Sequence, residues 1–304
     1  MKKLKLKQID AFTDRAFTGN PAAVILDADG LTDAEMQLIA REMNLSETAF
    51  VTKPKDDTHD LELRWLTPTS EVNLCGHATI ATFHAMIEEG SHGLDKAGVH
   101  HFRVKTKSGV LGVEVDRSTE PSKIYFTLPV PEFREYKGQR FELCNALQIS
   151  ADLLDKTLPV WTSDQGYVFI PFINVDCLLK MKPSFEDLKN LAHRSKINGF
   201  CAFTTETKHP TSAAHSRFFA PMLGINEDPV TGSAQGPLAC YLYQNKRVSS
   251  VAGGTGKIQV TLEQGYEIGR GGRVWAELQV EGQKITSLRI SGYAVTVMDG
   301  TLYV

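Results

Sequence analysis

Hydrophobic and polar positions alternate in short runs along most of this chain, and a period of two marks strands. Leu4, Leu6 and Ile9 are separated by polar residues, which predicts an opening strand. The run around Leu61, Arg64, Trp65 and Leu66 reads the same way, as do Phe102–Thr106, Val110–Val115 and Ile124–Leu128. Later strands are expected at Lys257–Leu262, Val274–Val280 and Thr286–Ile290. Helical spacing appears in four places. Thr32-Asp33-Ala34-Glu35 has the form of a capping box, and Met36, Ile39, Ala40 and Met43 then share one face. A helix is predicted from Gly76 to about Glu89, with Gly90 ending it. Others cover Phe185–His193 and Gly232 to about Asn245. The last thirteen residues, from Gly292, read as two strands around an Asp299-Gly300 turn.

The pattern repeats. Arg64-Trp65-Leu66-Thr67-Pro68 and Arg217-Phe218-Phe219-Ala220-Pro221 are each Arg, two large apolar residues, a small residue and Pro. Each is followed by a Gly that opens a helix rich in small residues, Gly76 and Gly232. The Arg residues lie 153 positions apart and the Gly residues 156 apart. Ala49-Phe50 matches Ala202-Phe203, and Glu71 matches Glu227. An offset of half the chain predicts two related lobes and not a solenoid. The proline-bearing stretch Asp116–Lys137 is the expected junction.

The 304 residues suit two domains, and 42% hydrophobic with 23% charged residues is globular composition. A formal charge of -3 argues against nucleic acid or an anionic membrane as partner. No apolar run is long enough to span a bilayer. Five scattered cysteines without a CxxC pair argue against disulfides and structural zinc, and favour a reducing cytoplasmic setting.

Candidate chemistry gathers at the two helix starts. A helix N-terminus offers unpaired N–H groups and partial positive charge, and Gly lets a ligand approach closely. Two such ends facing one another would clamp a carboxylate; tight helix packing is the other reason for small residues there. Glu47, in Ser46-Glu47-Thr48-Ala49-Phe50, has Phe200 as its counterpart, so one carboxylate breaks the symmetry. Beside apolar walls a carboxyl group exchanges protons near neutral pH; at a solvated strand end it would be a plain cap. His77, in a first helical turn, is expected neutral because of the helix dipole. Asp228 is expected either to orient His77 or to form a turn. Cys75 would be a stabilised thiolate beside the helix start or a small buried residue; its counterpart Thr231 is too weak an acid for a second base. Nucleotide-binding, zinc-protease and serine-hydrolase motifs are missing from the sequence. Gly253-Gly254-Thr255-Gly256-Lys257 precedes a strand-like run and reads as a turn, and Gly269–Arg273 as a hairpin loop. His100-His101 has no acidic neighbour in sequence, so no metal is expected there.

Taken in order, several segments resemble the PhzF-like family of phenazine-biosynthesis-type isomerases. They are Asp10-Ala11-Phe12-Thr13, Phe17-Thr18-Gly19-Asn20-Pro21-Ala22-Ala23-Val24, the Glu47 strand, Cys75-Gly76-His77-Ala78-Thr79, Glu227–Ala234 and Gly292-Tyr293-Ala294-Val295. The resemblance implies an α+β fold of the diaminopimelate epimerase type. Each of its two pseudo-repeated lobes is a curved, mostly antiparallel sheet around a central helix. The expected lobes are 1–120 and 121–291, with 292–304 returning to the first. It further implies proton transfer without cofactor or metal on a small carboxylate-bearing substrate. Glu47, His77 and Asp228 match the catalytic group, and Asn20, Gly76, Gly232 and Ser233 the substrate contacts. A cytoplasmic homodimer is expected. Epimerisation of an amino or hydroxy acid, and a non-catalytic metabolite-binding module, are the competing readings.

Overall fold

A computed structural model describes residues 2–250 and 254–304, and the chain divides into two compact units. The first holds the residues up to Thr127 together with Arg289–Val304; the second is Leu128–Leu288.

The first unit opens with β1 (Lys3–Ala11) and β2 (Asn20–Ile25), followed by α1 (Asp33–Met43). Thr32 caps α1 by accepting from Glu35 N–H, and the Glu35 carboxylate accepts from Thr32 N–H, so the capping box forms as its spacing predicts. Met36, Ile39 and Ala40 are buried beneath it against Leu4, Leu6, Ile25, Phe50 and Leu66. Then come β3 (Glu47–Thr52), β4 (Leu61–Leu66), the short β5 (Glu71–Val72), α2 (Gly76–Glu88), β6 (Val99–Thr106), β7 (Gly109–Asp116) and β8 (Lys123–Leu128). β1 and β2 pair antiparallel, β2 and β3 parallel, β3 and β4 antiparallel, β4 and β6 parallel, and β6, β7 and β8 antiparallel in turn. α2 is buried along most of its length and packs on β1, β2 and β3. It is Ala- and Thr-rich because side chains on every face meet protein.

The second unit contains β9 (Phe133–Glu135), α3 (Arg140–Ala146), β10 (Trp161–Ser163), β11 (Tyr167–Pro171), α4 (Val175–Lys180), α5 (Phe185–Ser195), β12 (Gly199–Thr204), β13 (Ala214–Ala220) and β14 (Ile225–Asp228). α6 (Gly232–Gln244), β15 (Thr255–Gln264), β16 (Gly272–Glu281) and β17 (Lys284–Gly292) follow. The pairing of the first unit returns: β11 and β12 parallel, β12 and β13 antiparallel, β13 and β15 parallel, β15 and β16 antiparallel. The repeat reaches the outer helices. α5 is capped by Ser184 as α1 is by Thr32, and both helices end on a left-handed residue, Lys196 and Asn44.

One strand assignment is corrected. Residues Ala294–Tyr303 form a single strand, β18, with no turn at Asp299-Gly300. β1 pairs antiparallel along all of it, Lys7 opposite Asp299 and Leu6 opposite Gly300. Ladder hydrogen bonds to β1 outweigh the local turn preference of Asp-Gly. Of the Gly-rich stretch expected as a turn, Gly253 lies outside the described residues, and β15 starts at Thr255. Gly269–Gly271 lies in the β15–β16 connection as expected, whereas Gly272 and Arg273 already belong to β16 and pair with β15. Among the described residues, no helix is long and apolar enough to cross a membrane.

Candidate active site

Glu47 is the first residue of β3, and parallel pairing sets it beside Ala22 of β2. Asn20 lies two residues before Ala22 on the same strand and therefore on the same face. Asn20 is fully buried and Glu47 nearly so, which removes the reading of Glu47 as a solvated strand end. The approach to Asn20 is a tight loop. Phe12 and Phe17 both adopt left-handed backbone, φ 62° and 66°, and the Asp10 carboxylate accepts from Phe17 N–H at 2.7 Å. Gly19 is required there: at φ +65° an added Cβ would meet Ala11 O at 2.2 Å.

α2 brings the second group. It begins at Gly76, whose added Cβ would lie 2.8 Å from Phe126 Cζ. Close packing on Phe126 thus explains this glycine, whatever it also gives a ligand. His77 follows, and its Nε2 stands 3.2 Å from Glu47 Oε2. Cys75 Sγ is 3.5 Å from the other ring nitrogen, Nδ1. A neutral ring with its proton on Nε2 turns that nitrogen toward the Glu47 carboxylate and leaves Nδ1 to accept from the Cys75 thiol. Burial pushes the His77 pKa down to about 3, so the ring is neutral at physiological pH. The expected neutrality therefore holds, but desolvation is its cause where the sequence suggested the helix dipole. Glu47 and Cys75 flank the two ring nitrogens within the first unit.

Neither central helix is capped by its N-cap side chain. Cys75 makes no such bond on α2, nor Thr231 on α6, and neither first turn carries an acidic residue. α1, α4 and α5 are capped by a side chain and α3 carries Glu142 in its first turn, so among the described α-helices the two that the repeat singles out lack both devices.

In the second unit Asp228 ends β14, and its Oδ2 accepts from Thr231 Oγ1 at 2.5 Å. Two fully buried amides brace this corner. Gln264 Nε2 donates to Asp228 O at 2.7 Å and to Thr231 Oγ1 at 3.1 Å, while its Oε1 accepts from Gln235 Nε2 at 2.6 Å. Gly232 opens α6 and is buried; Ser233 Oγ lies 3.3 Å from the Tyr167 hydroxyl. Gln235, Gln264 and Tyr167 carried no signal in sequence, because single buried polar residues follow no periodic pattern. His101, expected without an acidic neighbour, faces Glu114 across the β6–β7 register, with Nδ1 3.7 Å from a carboxylate oxygen.

Comparison with known proteins gives the family. Residues 9–300 match the family described as phenazine biosynthesis-like protein. An uncharacterized isomerase of Clostridium acetobutylicum is 40% identical over 309 residues, covering 99% of both chains. The trans-2,3-dihydro-3-hydroxyanthranilate isomerase of Pseudomonas fluorescens is 35% identical over 298 residues, covering 97% of both. Among solved structures, a PhzF-family phenazine biosynthesis protein of Bacillus anthracis superposes with a TM-score of 0.87 at 31% identity, covering 100% of each chain. The chain belongs to the phenazine biosynthesis-like family and is an isomerase of that family. The α+β fold with two repeated halves is the family fold.

Proposed function

We propose that this isomerase moves a proton between two carbon positions of a small carboxylate-bearing metabolite, without a cofactor, and that Glu47 carries the proton. The observation behind this reading is the buried Glu47 carboxylate 3.2 Å from an imidazole that stays neutral down to about pH 3. Such an imidazole does not compete for a proton that Glu47 takes from carbon, because it is too weak a base. It donates Nε2–H instead and steadies the carboxylate whenever it is charged. The open first turn of α2 at Gly76 suits a substrate carboxylate, and Asn20 is assigned a polar contact on the same substrate. In the second unit, Asp228, Gly232 and Ser233 are assigned to binding charged and polar groups of a ligand. The name of the Pseudomonas relative supports the substrate class, a ring acid in that case. Epimerisation by paired thiols is disfavoured by Thr231, whose hydroxyl is committed to Asp228.

The test is solvent exchange. Purified protein is incubated in heavy water with a panel of small carboxylic acids, and mass shifts are read beside Glu47→Gln. A one-unit gain is expected with wild type, slowed by about 10²–10⁴-fold in the variant. A loss smaller than about tenfold would remove Glu47 from the path.

A further inference from the structure

Glu47, Cys75 and His77 place a carboxylate oxygen, a sulfur and an imidazole nitrogen within 4.8 Å of one another, all on buried residues. Among the described residues no other set of three such donors converges in this way. The contrast with His215 is instructive. His215 also touches two carboxylates, but through opposite nitrogens, Nδ1 to Glu263 and Nε2 to Glu267, each at 2.8 Å. One ion cannot gather that set. In the first unit a single nitrogen, His77 Nε2, lies 3.2 Å from Glu47 Oε2 and 3.9 Å from Cys75 Sγ. A tetrahedral ion bound at about 2.3 Å to sulfur and about 2.0–2.1 Å to nitrogen and oxygen has donor–donor edges of roughly 3.4–3.6 Å. Both edges through the imidazole depart from this by only a few tenths of an ångström.

We propose that Glu47, Cys75 and His77 form a binding site for a thiophilic divalent cation of the zinc class. As the ion binds, the thiol gives its proton to solvent and His77 moves its ring proton from Nε2 to Nδ1, which frees Nε2 as a ligand. Three protein donors leave the fourth position to water. A thiolate and an imidazole favour zinc-class ions, whereas magnesium and calcium need several oxygen donors and find one carboxylate here. Binding itself does not depend on the proposed proton transfer. Its consequence does: an ion holding the Glu47 carboxylate and His77 Nε2 stops that transfer, and a chelator restores it. The donors come from two separate segments, β3 and the start of α2, so no metal-binding spacing exists in the sequence.

Cobalt(II) is the probe, added to chelator-treated full-length protein without substrate. The expected result is a thiolate-to-cobalt charge-transfer band that saturates at a single equivalent, is absent in Cys75→Ser, and is bleached by zinc. His77→Gln weakens it. Independently of any variant, zinc raises the melting temperature of the wild-type protein and magnesium does not. No band with wild type in excess cobalt overturns the proposal. So does a band that persists in Cys75→Ser, which would assign it to Cys144, Cys177, Cys201 or Cys240. Loss of exchange in Glu47→Gln is a separate measurement, so the two proposals fail separately.

Discussion

In the first unit Arg64 grips Glu71 through Nε and Nη2, at 2.9 and 3.0 Å; in the second Arg217 grips Glu227 the same way, at 2.8 and 2.7 Å. The pairs occupy equivalent places between β4 and β5 and between β13 and β14. Their surroundings differ. Arg64 and Glu71 keep 27% and 21% of their side-chain surface in water, Arg217 and Glu227 only 7% and 9%. Arg217 uses its remaining nitrogen on the carbonyls of Leu178 and Met181, while Arg64 reaches the exposed Asp33. The same contact is thus a partly wet clasp in one unit and a buried bracket in the other. The chemistry divides along similar lines. At one matching position the first unit buries Glu47 against His77, and the second buries Phe200 among Leu188, Leu191 and Phe219. A repeated scaffold tolerates a carboxylate only where a hydrogen-bond donor has been placed beside it.

The largest test of that rule is Phe200→Glu. Phe200 is fully buried in an apolar cluster, so a carboxyl group there must stay protonated or disrupt the core. A loss of about 4 kcal/mol or more is expected in urea unfolding. A cost below about 1 kcal/mol would show that the second unit accepts charge as readily as the first.

The next effect separates the two clasps. Arg217→Met leaves Glu227 buried without its cation and removes the Arg217 donor from the carbonyls of Leu178 and Met181, for about 3–5 kcal/mol. Arg64→Met at the wetter pair is expected to cost about 1 kcal/mol or less. Equal losses in denaturant titration would show that exposure does not set the difference.

Near neutral pH the smallest effects are in pH dependence, where the units have opposite signs. Burial lowers the His77 pKa to about 3. Between that value and the ordinary value near 6.5 the unfolded chain binds a proton that the folded chain does not, so His77 lowers stability as pH falls through this window. His215 goes the other way. Burial acts to lower its pKa, but hydrogen bonds to Glu263 and Glu267 outweigh it and the net shift is upward. Its contribution is full below the unfolded value and is lost as pH rises through the folded one. Both glutamates are held below the usual carboxylate range by His215, against an opposing desolvation, so their share is present above the ordinary value and lost on acidification. Histidine proton resonances followed by NMR should show one ring neutral well below the ordinary value near 6.5 and another still charged above it. Two rings titrating together near that ordinary value would contradict the assignment.

Much of the frame was legible before any coordinates. The Thr32 capping box, the core face of α1, the starts of α2 and α6 and the later strands rest on local rules, each with several residues in agreement. The Arg, Gly and Glu offsets revealed the repeat because both halves keep the same elements in the same order. Less was legible where the signal was short. β9, β10, α3 and α4 have three to seven residues each, too few for a period to emerge. The candidate site was legible as a set of residues, Glu47, His77, Asp228 and the two helix starts, without their contacts.

The sequence by itself determined the order of elements, the duplication, and the single carboxylate that breaks it, since all three are properties of spacing and residue type. Only the tertiary structure decided that Asp299-Gly300 runs straight, because a ladder with β1 spans it. It alone decided that Glu47 leaves water, that His77 is neutral through burial, and that Cys75 joins them. Desolvation and convergence of donors depend on what surrounds a side chain, and those surroundings come from segments distant along the chain.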